Sequence, residues 1–346
     1  MHTYRPLLLT ALLVACRGPE TTADVDAGID VEPDAPVVVD ARPSHGFCNA
    51  TDPRTVPVEV VATPEAGEAP YLDALAQADH TIRLQVYLMG YGGILDTLKA
   101  KAAAGVDVKV MLDRKKIDTN QKYFDQLVAA GAQVKWSDPK FTYFHAKYFV
   151  VDDEVATMST GNYSKDFSID RERNFVAIDR DPADLADLTA LFDADWNNVA
   201  PDMGCTRMVI SPINARQRIL DVIASAQTTL TVHSMQFGDR DVREAVKARV
   251  LAGVETRVML ADPGWIDANA DAAVFLKDLG VPVKTMPHLH TKAIVADGVR
   301  AYVGSENLSW TSLDKNREVG VIVVESESVQ PMVTTFEADW AIGTDL

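Results

Sequence analysis

Residues Phe144–Ser164 read FHAKYFVVDDEVATMSTGNYS, and residues Leu289–Ser309 read LHTKAIVADGVRAYVGSENLS. Each stretch contains a histidine, a lysine two positions later and an aspartate five positions after the lysine, followed by an asparagine and a serine. These polar positions recur at one constant offset along the chain, while the apolar residues between them differ. The pattern predicts one site that is assembled from two halves. The paired positions are His145 and His290, Lys147 and Lys292, Asp152 and Asp297, Asn162 and Asn307, and Ser164 and Ser309.

The rest of the chain is duplicated in the same way. Apolar strands such as VDVKVMLD and VETRVMLAD follow helices that end at a glycine, where a left-handed cap is natural. Both halves close on nearly the same phrase, FDADW and FEADW. Strands that alternate with helices predict α/β layers. We expect an α/β fold of two repeats, 46–200 and 201–346, which form a monomeric, pseudo-twofold, bilobal particle with the active site between the repeats.

The two motif strands predict a phosphate-ester site. Residues two apart in a strand point to the same face, so each histidine projects together with its lysine. Histidine titrates near neutral pH and can act as nucleophile or general acid, while lysine, asparagine and serine can hold phosphate oxygens. No Cys/His cluster has the spacing of metal ligands, so we expect neither a metal nor a cofactor. The expected phosphate-binding residues are Asn162, Ser164, Asn307 and Ser309.

The paired H-x-K-x4-D motifs resemble those of the phospholipase D superfamily, and the resemblance extends over both repeats. It implies that one histidine attacks phosphorus to give a phosphohistidine, while the other protonates the leaving alcohol and then activates water or an acceptor alcohol. By analogy with the commoner order in the family, His145 is the expected nucleophile and His290 the acid/base. The sequence itself does not distinguish the two histidines. Lys147 and Lys292 are implied to stabilise the phosphate.

Members of this superfamily also carry an acid, shortly after the asparagine and serine, that orients the motif histidines. The segments Asp170–Glu172 and Asn316–Glu318 match that element, so Glu172 and Glu318 are implied in this role. A carboxylate bonded to Nδ1 would fix the tautomer of the ring and support the imidazolium.

Other polar residues have structural interpretations. Asp297 precedes a glycine in a typical two-residue hairpin signal, and Asp152 lies where a turn is expected. We therefore predict that both motif aspartates shape turns or pair with nearby cations and do not carry protons. His80 and His233 are predicted to be structural residues, and His288 a residue of the pocket rim.

The N-terminus is typical of an exported protein. A short apolar run, Leu7–Ala15, ends at Cys16 and is too short to span a bilayer. Its end resembles the lipobox of bacterial lipoproteins, in which the cysteine is lipidated after cleavage; an ordinary secretory signal is the alternative. We expect a signal peptide at 1–16 and, because it lacks aromatic residues, a disordered acidic tether at 17–45. The protein would then be secreted and anchored by lipid in the bacterial cell envelope.

Two further cysteines, Cys48 and Cys205, lie near the starts of the two repeats. In an oxidising envelope compartment a disulfide between them can persist, and it would tie the two halves together. Two free buried thiols are the alternative.

Composition bears on the substrate. The chain has 346 residues, of which 47% are apolar and 24% charged, and its net charge of −17 remains strongly acidic outside the tether. This charge weighs against a nucleic-acid binder that relies on neutralising phosphates. We expect a phospholipase D-type phosphodiesterase that hydrolyses phospholipid head groups, with possible transfer to alcohols. A metal-independent nuclease is the alternative, and an inactive anchored binding protein is a third hypothesis.

Overall fold

The structure is a computed structural model that describes residues 47–164 and 169–346. Its first lobe contains a mixed sheet and four helices, with a short 3₁₀ turn after the third strand. In chain order the elements are β1 (Glu59–Thr63), α1 (Ala69–Ala76), β2 (Thr81–Val86), α2 (Gly92–Ala103), β3 (Asp107–Leu112), α3 (Ile117–Ala129), β4 (Gln133–Trp136), β5 (Lys147–Val151), β6 (Val155–Ser159), β7 (Asn174–Asp179) and α4 (Pro182–Trp196).

The second lobe repeats this order with one additional short helix and a final short strand. Its elements are β8 (Met208–Ser211), α5 (Ala215–Ser225), β9 (Thr229–Ser234), α6 (Arg240–Leu251), β10 (Glu255–Ala261), α7 (Ala268–Asp278), β11 (Val283–Met286), β12 (Lys292–Ala296), β13 (Arg300–Gly304), α8 (Trp310–Asp314), β14 (Glu318–Val323), α9 (Ser326–Ile342) and β15 (Thr344–Asp345).

The two sheets have equivalent topologies. Their strand orders are β1-β7-β6-β5-β2-β3-β4 and β15-β11-β10-β9-β12-β13-β14-β8. The motif strand β5 lies antiparallel between β2 and β6, and β12 lies in the same way between β9 and β13. Val86 pairs with Lys147 in the first sheet, and Ser234 pairs with Lys292 in the second. The predicted α/β fold of two repeats is therefore confirmed.

A central apolar layer joins the two lobes. One face of each sheet packs against residues of α4 and α9, such as Leu188 and Met332, in a single hydrophobic core. The outer faces are covered by α1–α3 in the first lobe and by α5–α7 in the second. Because both faces of each sheet are buried, strands such as β5 and β7 are apolar along most of their length. The closing helices also cross between the lobes, since α9 contacts β1 and α4 contacts β8.

Backbone hydrogen bonds join the lobes at two equivalent places. The carbonyl oxygen of Arg317 accepts from the N–H of His145 at 2.8 Å and from that of Ala146 at 2.9 Å. The carbonyl oxygen of Arg173 accepts from the N–H of His290 at 3.0 Å. The backbone of each motif histidine is therefore held by the opposite lobe, at the point where β7 or β14 begins.

The segment before β1 is fixed to both lobes. Cys48 and Cys205 form a disulfide with their Cα atoms 3.9 Å apart, which confirms the predicted bridge. The guanidinium of Arg54 donates to Asp184 Oδ2 of α4 at 2.6 Å and to the carbonyl oxygen of Ile322 in β14 at 2.9 Å. This segment therefore connects elements of both repeats.

The predicted signal peptide at 1–16, the lipidated Cys16 and the tether at 17–45 lie outside the described residues. Across 47–164 and 169–346, none of the helices combines the length and apolar character needed to cross a bilayer. The export and anchoring of the protein remain predictions from the sequence.

Candidate active site

His145 lies just before β5 and is 2% exposed. Its Nδ1 is 2.6 Å from Oε2 of Glu318, a residue of the opposite lobe. Because an ionised carboxylate only accepts hydrogen bonds, Nδ1 carries the hydrogen of this contact. The ring of Tyr87 packs edge-on against the imidazole, with centroids 4.8 Å apart. The side chain of His145 is therefore fixed in position and tautomer.

The carboxylate of Glu318 is held by residues on both sides. Its Oε1 accepts from Asn316 Nδ2 at 2.9 Å and from the hydroxyl of Ser312. Burial acts to raise the pKa of Glu318, but the charge and hydrogen bond of His145 and the charge of Lys147 outweigh it and hold this pKa below its usual range. Glu318 is therefore ionised at neutral pH and can stabilise a positive charge on His145.

His290 is equally buried, at 1% exposed, but it contacts a different kind of group. Its Nδ1 is 3.0 Å from Oδ1 of Asn174 and 3.8 Å from Oε2 of Glu172. Asn174 Nδ2 in turn donates to Glu172 Oε2 at 3.4 Å. The amide therefore links the carboxylate to the ring. The indole of Trp265 lies beside the imidazole with centroids 6.4 Å apart.

The backbone hydrogen bonds between lobes correct the sequence match of the two copies. That match aligned Asp170–Glu172 with Asn316–Glu318. In the structure Arg173 and Arg317 are equivalent, because the carbonyl oxygen of each accepts from the N–H of a motif histidine in the opposite lobe. The match was therefore two residues out of register. Pairing between the lobes sets this register.

When the two arginines are aligned, the acid precedes the arginine in the first copy and follows it in the second, and the amide does the reverse. Asn174 is the counterpart of Glu318, and Glu172 is the counterpart of Asn316. Asn174 was not identified from the sequence, although the segments E-x-N and N-x-E around the two arginines held the signal. The orienting role of Glu172 remains a prediction, and the direct contact with His290 belongs to Asn174.

Both motif lysines are buried beside the histidines, Lys147 at 1% and Lys292 at 0% exposed. Lys147 Nζ donates to the carbonyl oxygen of His145 at 2.7 Å. Lys292 Nζ donates to the carbonyl oxygen of His290 at 2.8 Å and, across the lobes, to that of Thr160 at 3.1 Å. Two buried ammonium groups at the lobe interface suit a site for an anionic phosphodiester.

The predicted phosphate-binding residues follow the two motif strands in the chain. Asn162 and Asn307 are 3% and 2% exposed. The hydroxyl oxygen of Ser309 accepts from the N–H of Ser312 at 3.4 Å and caps α8, while Ser164 is half-buried next to residues 165–168, which the structure does not describe. Their contacts with a phosphate remain predictions.

The motif aspartates lie at the far ends of β5 and β12 from the histidines. Asp297 has φ 55°, and its carboxylate accepts from the N–H of Thr228 at 2.7 Å and from that of Thr229 at 2.9 Å. Asp152 has φ 52° and accepts from the N–H of Asp79 at 2.6 Å. In both lobes the aspartate thus connects a hairpin turn by hydrogen bonds to the backbone at the start of the neighbouring strand.

Glu306 is a buried acid that the sequence did not identify as a site residue. The hydroxyl of Tyr302 donates to its Oε2 at 2.6 Å. Burial, and then the charge of Glu318, raise the pKa of Glu306 to about 8. Its counterpart in the first lobe is Gly161, where a Cβ atom would lie only 2.6 Å from Asn174 Nδ2. A side chain at position 161 would therefore collide with the amide of Asn174.

His233 has a structural environment. His233 is buried, and burial together with the charge of Arg173 lowers the pKa of His233 to about 3. It packs edge-on against Phe175 and Phe336, as expected for a structural residue. Within the part of the chain that the structure describes, no group of three or more His, Cys, Asp or Glu side chains is arranged to hold a metal ion.

Two mixed sheets, each with a buried histidine–lysine strand at a shared pseudo-twofold interface, define a protein of the phospholipase D class. The chain belongs to the phospholipase D-like family described as "Cardiolipin synthase, PLD-like domain", which matches residues 71–196 and 219–340. The two matched segments contain the two motif copies.

Curated relatives and solved structures extend this finding. The chain is 26% identical over 331 residues to the cardiolipin synthase of Clostridium perfringens (strain 13 / Type A), covering 79% of this chain and 68% of the relative. It is 24% identical over 313 residues to the probable cardiolipin synthase YwiE of Bacillus subtilis (strain 168), covering 77% and 62%. The chain thus spans about two thirds of the length of these relatives. The crystal structure of phosphatidylserine synthase from Haemophilus influenzae Rd KW20 shares the fold, with a TM-score of 0.67, 12% identity and coverage of 87% and 88%.

Proposed function

We propose that this protein is a phospholipase D-type phosphodiesterase that cleaves the head-group ester of phospholipids and passes the phosphatidyl group to water or to an alcohol. The observation that carries this proposal is that two histidine–lysine pairs are buried at the interface between the lobes. In one of them, His145 forms a hydrogen bond with Glu318 of the opposite lobe. The names of the curated relatives and of the solved neighbour concern phospholipid synthesis, which supports a phospholipid as the substrate.

The reaction proceeds in two displacements on phosphorus. Nε2 of one motif histidine attacks, the bond from phosphorus to the head-group oxygen breaks, and the other histidine protonates that oxygen. Water or an acceptor alcohol then gives its proton to the second histidine and attacks the phosphohistidine. Lys147 and Lys292 stabilise the negative charge that develops on the non-bridging oxygens.

A substrate panel tests this function. The purified protein is incubated in detergent micelles with phosphatidylcholine, phosphatidylethanolamine and phosphatidylglycerol, with and without added glycerol, and the lipids are analysed by mass spectrometry. Phosphatidic acid reports hydrolysis, and a lipid with an exchanged head group reports transfer. The double variant His145→Ala, His290→Ala is the control for a contaminating activity. Failure to convert any of these lipids, combined with cleavage of plasmid DNA in EDTA, would replace the proposal with the nuclease alternative.

We also propose that a lipid on Cys16 holds the enzyme at the membrane that contains its substrate. The apolar run that ends at Cys16 supports this proposal. Expressed from the full sequence in a bacterial host, the protein should partition into the detergent phase of a Triton X-114 extract, and Cys16→Ser should move it to the aqueous phase. Equal aqueous partitioning of both forms would remove the anchor and leave an ordinary secretory signal.

A further inference from the structure

A cavity of about 640 Å³ lies between the two lobes. Its walls come from residues 140 and 141 of the first lobe, from residues 200–204 between α4 and β8, and from residues 212–214 and 314–317 of the second lobe. Among the described residues that line it there is no motif histidine or lysine. Pockets that bind small molecules have volumes of about 300–1,000 Å³. This interlobe cavity is therefore large enough for an organic ligand and is distinct from the catalytic residues.

Ile213 lines the interlobe cavity at a position where the first lobe has an acid. The guanidinium groups of Arg173 and Arg317 each donate to a carbonyl oxygen that precedes a proline, at 2.8 Å and 3.0 Å. Counted from these two prolines, Ile213 is the counterpart of Glu65. Arg173 Nη2 donates to Glu65 Oε1 at 2.8 Å. The second lobe therefore has an apolar side chain where the first lobe has a carboxylate paired with its arginine.

The inner wall of the interlobe cavity is apolar. Phe141 and Met203 are 7% and 6% exposed and line it together with Ile213. The guanidinium of Arg317 lies 4.5 Å from the centroid of the Phe141 ring. Its charge is compensated, because Asp195 Oδ2 lies 2.9 Å from its Nε. The inner part of the cavity therefore suits an alkyl chain.

The mouth of the interlobe cavity carries positive charge. Lys140 is exposed and Lys315 is half-buried, and both line the cavity. Lys140 Nζ lies 3.4 Å from Asp138 Oδ2, but exposed ion pairs of this kind hold their partners weakly. Lys315 Nζ lies 5.1 Å from the centroid of the Trp310 ring, a contact that does not neutralise the ammonium. Two ammonium groups therefore attract an anion to the mouth, although the protein has a net charge of −17.

The other charged groups of the lining leave this attraction in place. Burial lowers the pKa of Arg218 to about 10, so this third basic group is positive at neutral pH. Of the two carboxylates in the lining, Asp314 accepts from Arg216 Nη2 at 2.7 Å, and Asp202 is exposed to water. Cations therefore outweigh carboxylates around the cavity.

We propose that the interlobe cavity binds an anionic amphiphile with a single alkyl chain, at a site separate from the catalytic histidines. The chain lies against Phe141, Met203 and Ile213. The anionic head, a carboxylate or a phosphate, lies at the mouth between Lys140 and Lys315. A fatty acid and a single-chain phospholipid both have this chemistry.

Amphiphiles with one chain length and different heads test the charge preference. Dodecanoate, dodecyl phosphate and dodecyltrimethylammonium are titrated into the purified protein by isothermal titration calorimetry, each below its critical micelle concentration. At least one of the two anions should bind about tenfold more tightly than the cation or better, because only an anion is attracted by the two lysines. The anion that binds identifies whether the site takes a carboxylate or a phosphate. Binding of neither anion, or equal affinity for the cation, overturns the proposal.

Reversing the charge of the mouth locates the anionic head. The double variant Lys140→Glu, Lys315→Glu should weaken binding of the anion by at least about tenfold. Its matched control is Lys122→Glu, Lys277→Glu, which changes the net charge equally at exposed positions of α3 and α7. The control should keep the native Kd within about twofold, because charges far from the ligand are screened by salt. Equal losses in the two double variants would indicate a general attraction of the whole protein for anions and contradict the site.

Filling the interior locates the alkyl chain. Ile213→Trp places a larger side chain in the space that the chain occupies and should weaken binding by at least about tenfold, whereas Ile213→Val should bind like the native protein. Circular dichroism shows whether Ile213→Trp folds, and the lysine variants decide the question if it does not. Native affinity in a folded Ile213→Trp protein overturns the proposal.

The catalytic double variant separates this site from the catalytic centre. His145→Ala, His290→Ala should bind the anion with native affinity, because neither histidine lines the interlobe cavity. A loss of binding in this variant would place the ligand at the catalytic histidines and overturn the proposal. Calorimetry measures binding without turnover, so the site is tested in the same way whether or not the protein cleaves phospholipids.

Discussion

His145 and His290 each lie under a polar side chain from the opposite lobe, and these two contacts define the site at the scale of single residues. In the proposed reaction neither imidazole acts alone, because a nucleophile and a proton donor are needed at the same phosphorus atom. The burial of both rings removes competing water and strengthens their interactions with nearby charges.

Replacing each histidine separates the two displacements. We expect His145→Ala and His290→Ala each to lower turnover of phospholipid by at least about 1,000-fold, because each removes a group that acts directly on the reacting atoms. His290→Ala should accumulate a phosphorylated His145 with a nitrophenyl ester, detectable by mass spectrometry of the active-site peptide. The exposed His80→Ala is the matched control and should keep native turnover. A phosphate found on His290 in the His145→Ala protein would exchange the two roles.

Glu306 gives the protein a specific pH dependence of stability. Its pKa is raised from 4.5 to about 8, so the folded protein holds a proton that the unfolded chain loses. This contribution to the free energy of unfolding is complete below pH 4.5 and is lost as the pH rises through about 8. In Glu306→Gln the melting temperature should therefore fall less between pH 6 and pH 9 than in the native protein.

The exposed Glu154→Gln is the matched control for Glu306→Gln. Differential scanning calorimetry at several pH values gives the melting temperatures. Plotted against pH, those of the native protein and of Glu154→Gln should change in parallel. If Glu306→Gln follows the same curve as well, Glu306 is ionised in the folded protein and its raised pKa is refuted.

At the scale of elements, two hairpins present the motif residues. Each begins with a histidine–lysine strand, β5 or β12, and turns at a motif aspartate with a positive φ. The carboxylate of Asp297 accepts from the N–H groups of Thr228 and Thr229, so the turn is tied to the start of β9. Burial acts to raise the pKa of Asp297, but these hydrogen bonds outweigh it and lower the pKa to about 2.

Asp297→Ala should loosen this hairpin without removing a catalytic group. Loss of hydrogen bonds to a charged acceptor, together with an alanine at positive φ, should lower the free energy of unfolding by about 2–4 kcal/mol in urea titrations. Asp297→Asn should lower the free energy of unfolding by less, because asparagine tolerates a positive φ and keeps one acceptor oxygen. Turnover well below the melting temperature should stay within about threefold of native. A loss of turnover without a loss of stability would instead place Asp297 in the chemistry.

At the scale of the whole molecule, the two lobes act as a single unit. They share an apolar layer around α4 and α9, and the segment before β1 is held to both of them. The disulfide between Cys48 and Cys205 closes a loop with a sequence separation of 157 residues. A covalent loop of this length restricts the unfolded chain strongly.

Removing the disulfide should therefore destabilise the whole molecule. The double variant Cys48→Ser, Cys205→Ser should lose up to about 5 kcal/mol of unfolding free energy in the chain-entropy treatment. Denaturant titrations with and without reductant measure this loss, and reduced native protein should match the double variant. Cys16→Ser keeps the bridge and should unfold like the native form. Equal stability of the native protein and the double variant would show that the ion pairs of Arg54 already fix this segment.

The sequence by itself determined the duplication, the histidine–lysine pairs and most of the strands. These features are local: a period of two along a strand, a fixed spacing after each motif, and glycines at helix ends. The bridge between Cys48 and Cys205 followed from two cysteines near the starts of the repeats and an expected oxidising compartment, and the structure confirms it.

Only the tertiary structure decided which polar group meets which histidine. His145 and Glu318 are 173 residues apart, and His290 and Asn174 are 116 residues apart. Their contacts depend on the register in which each lobe pairs with the other, and a shift of two residues exchanges a carboxylate for an amide. The spacing after each motif does not give that register, because backbone hydrogen bonds between the two lobes set it.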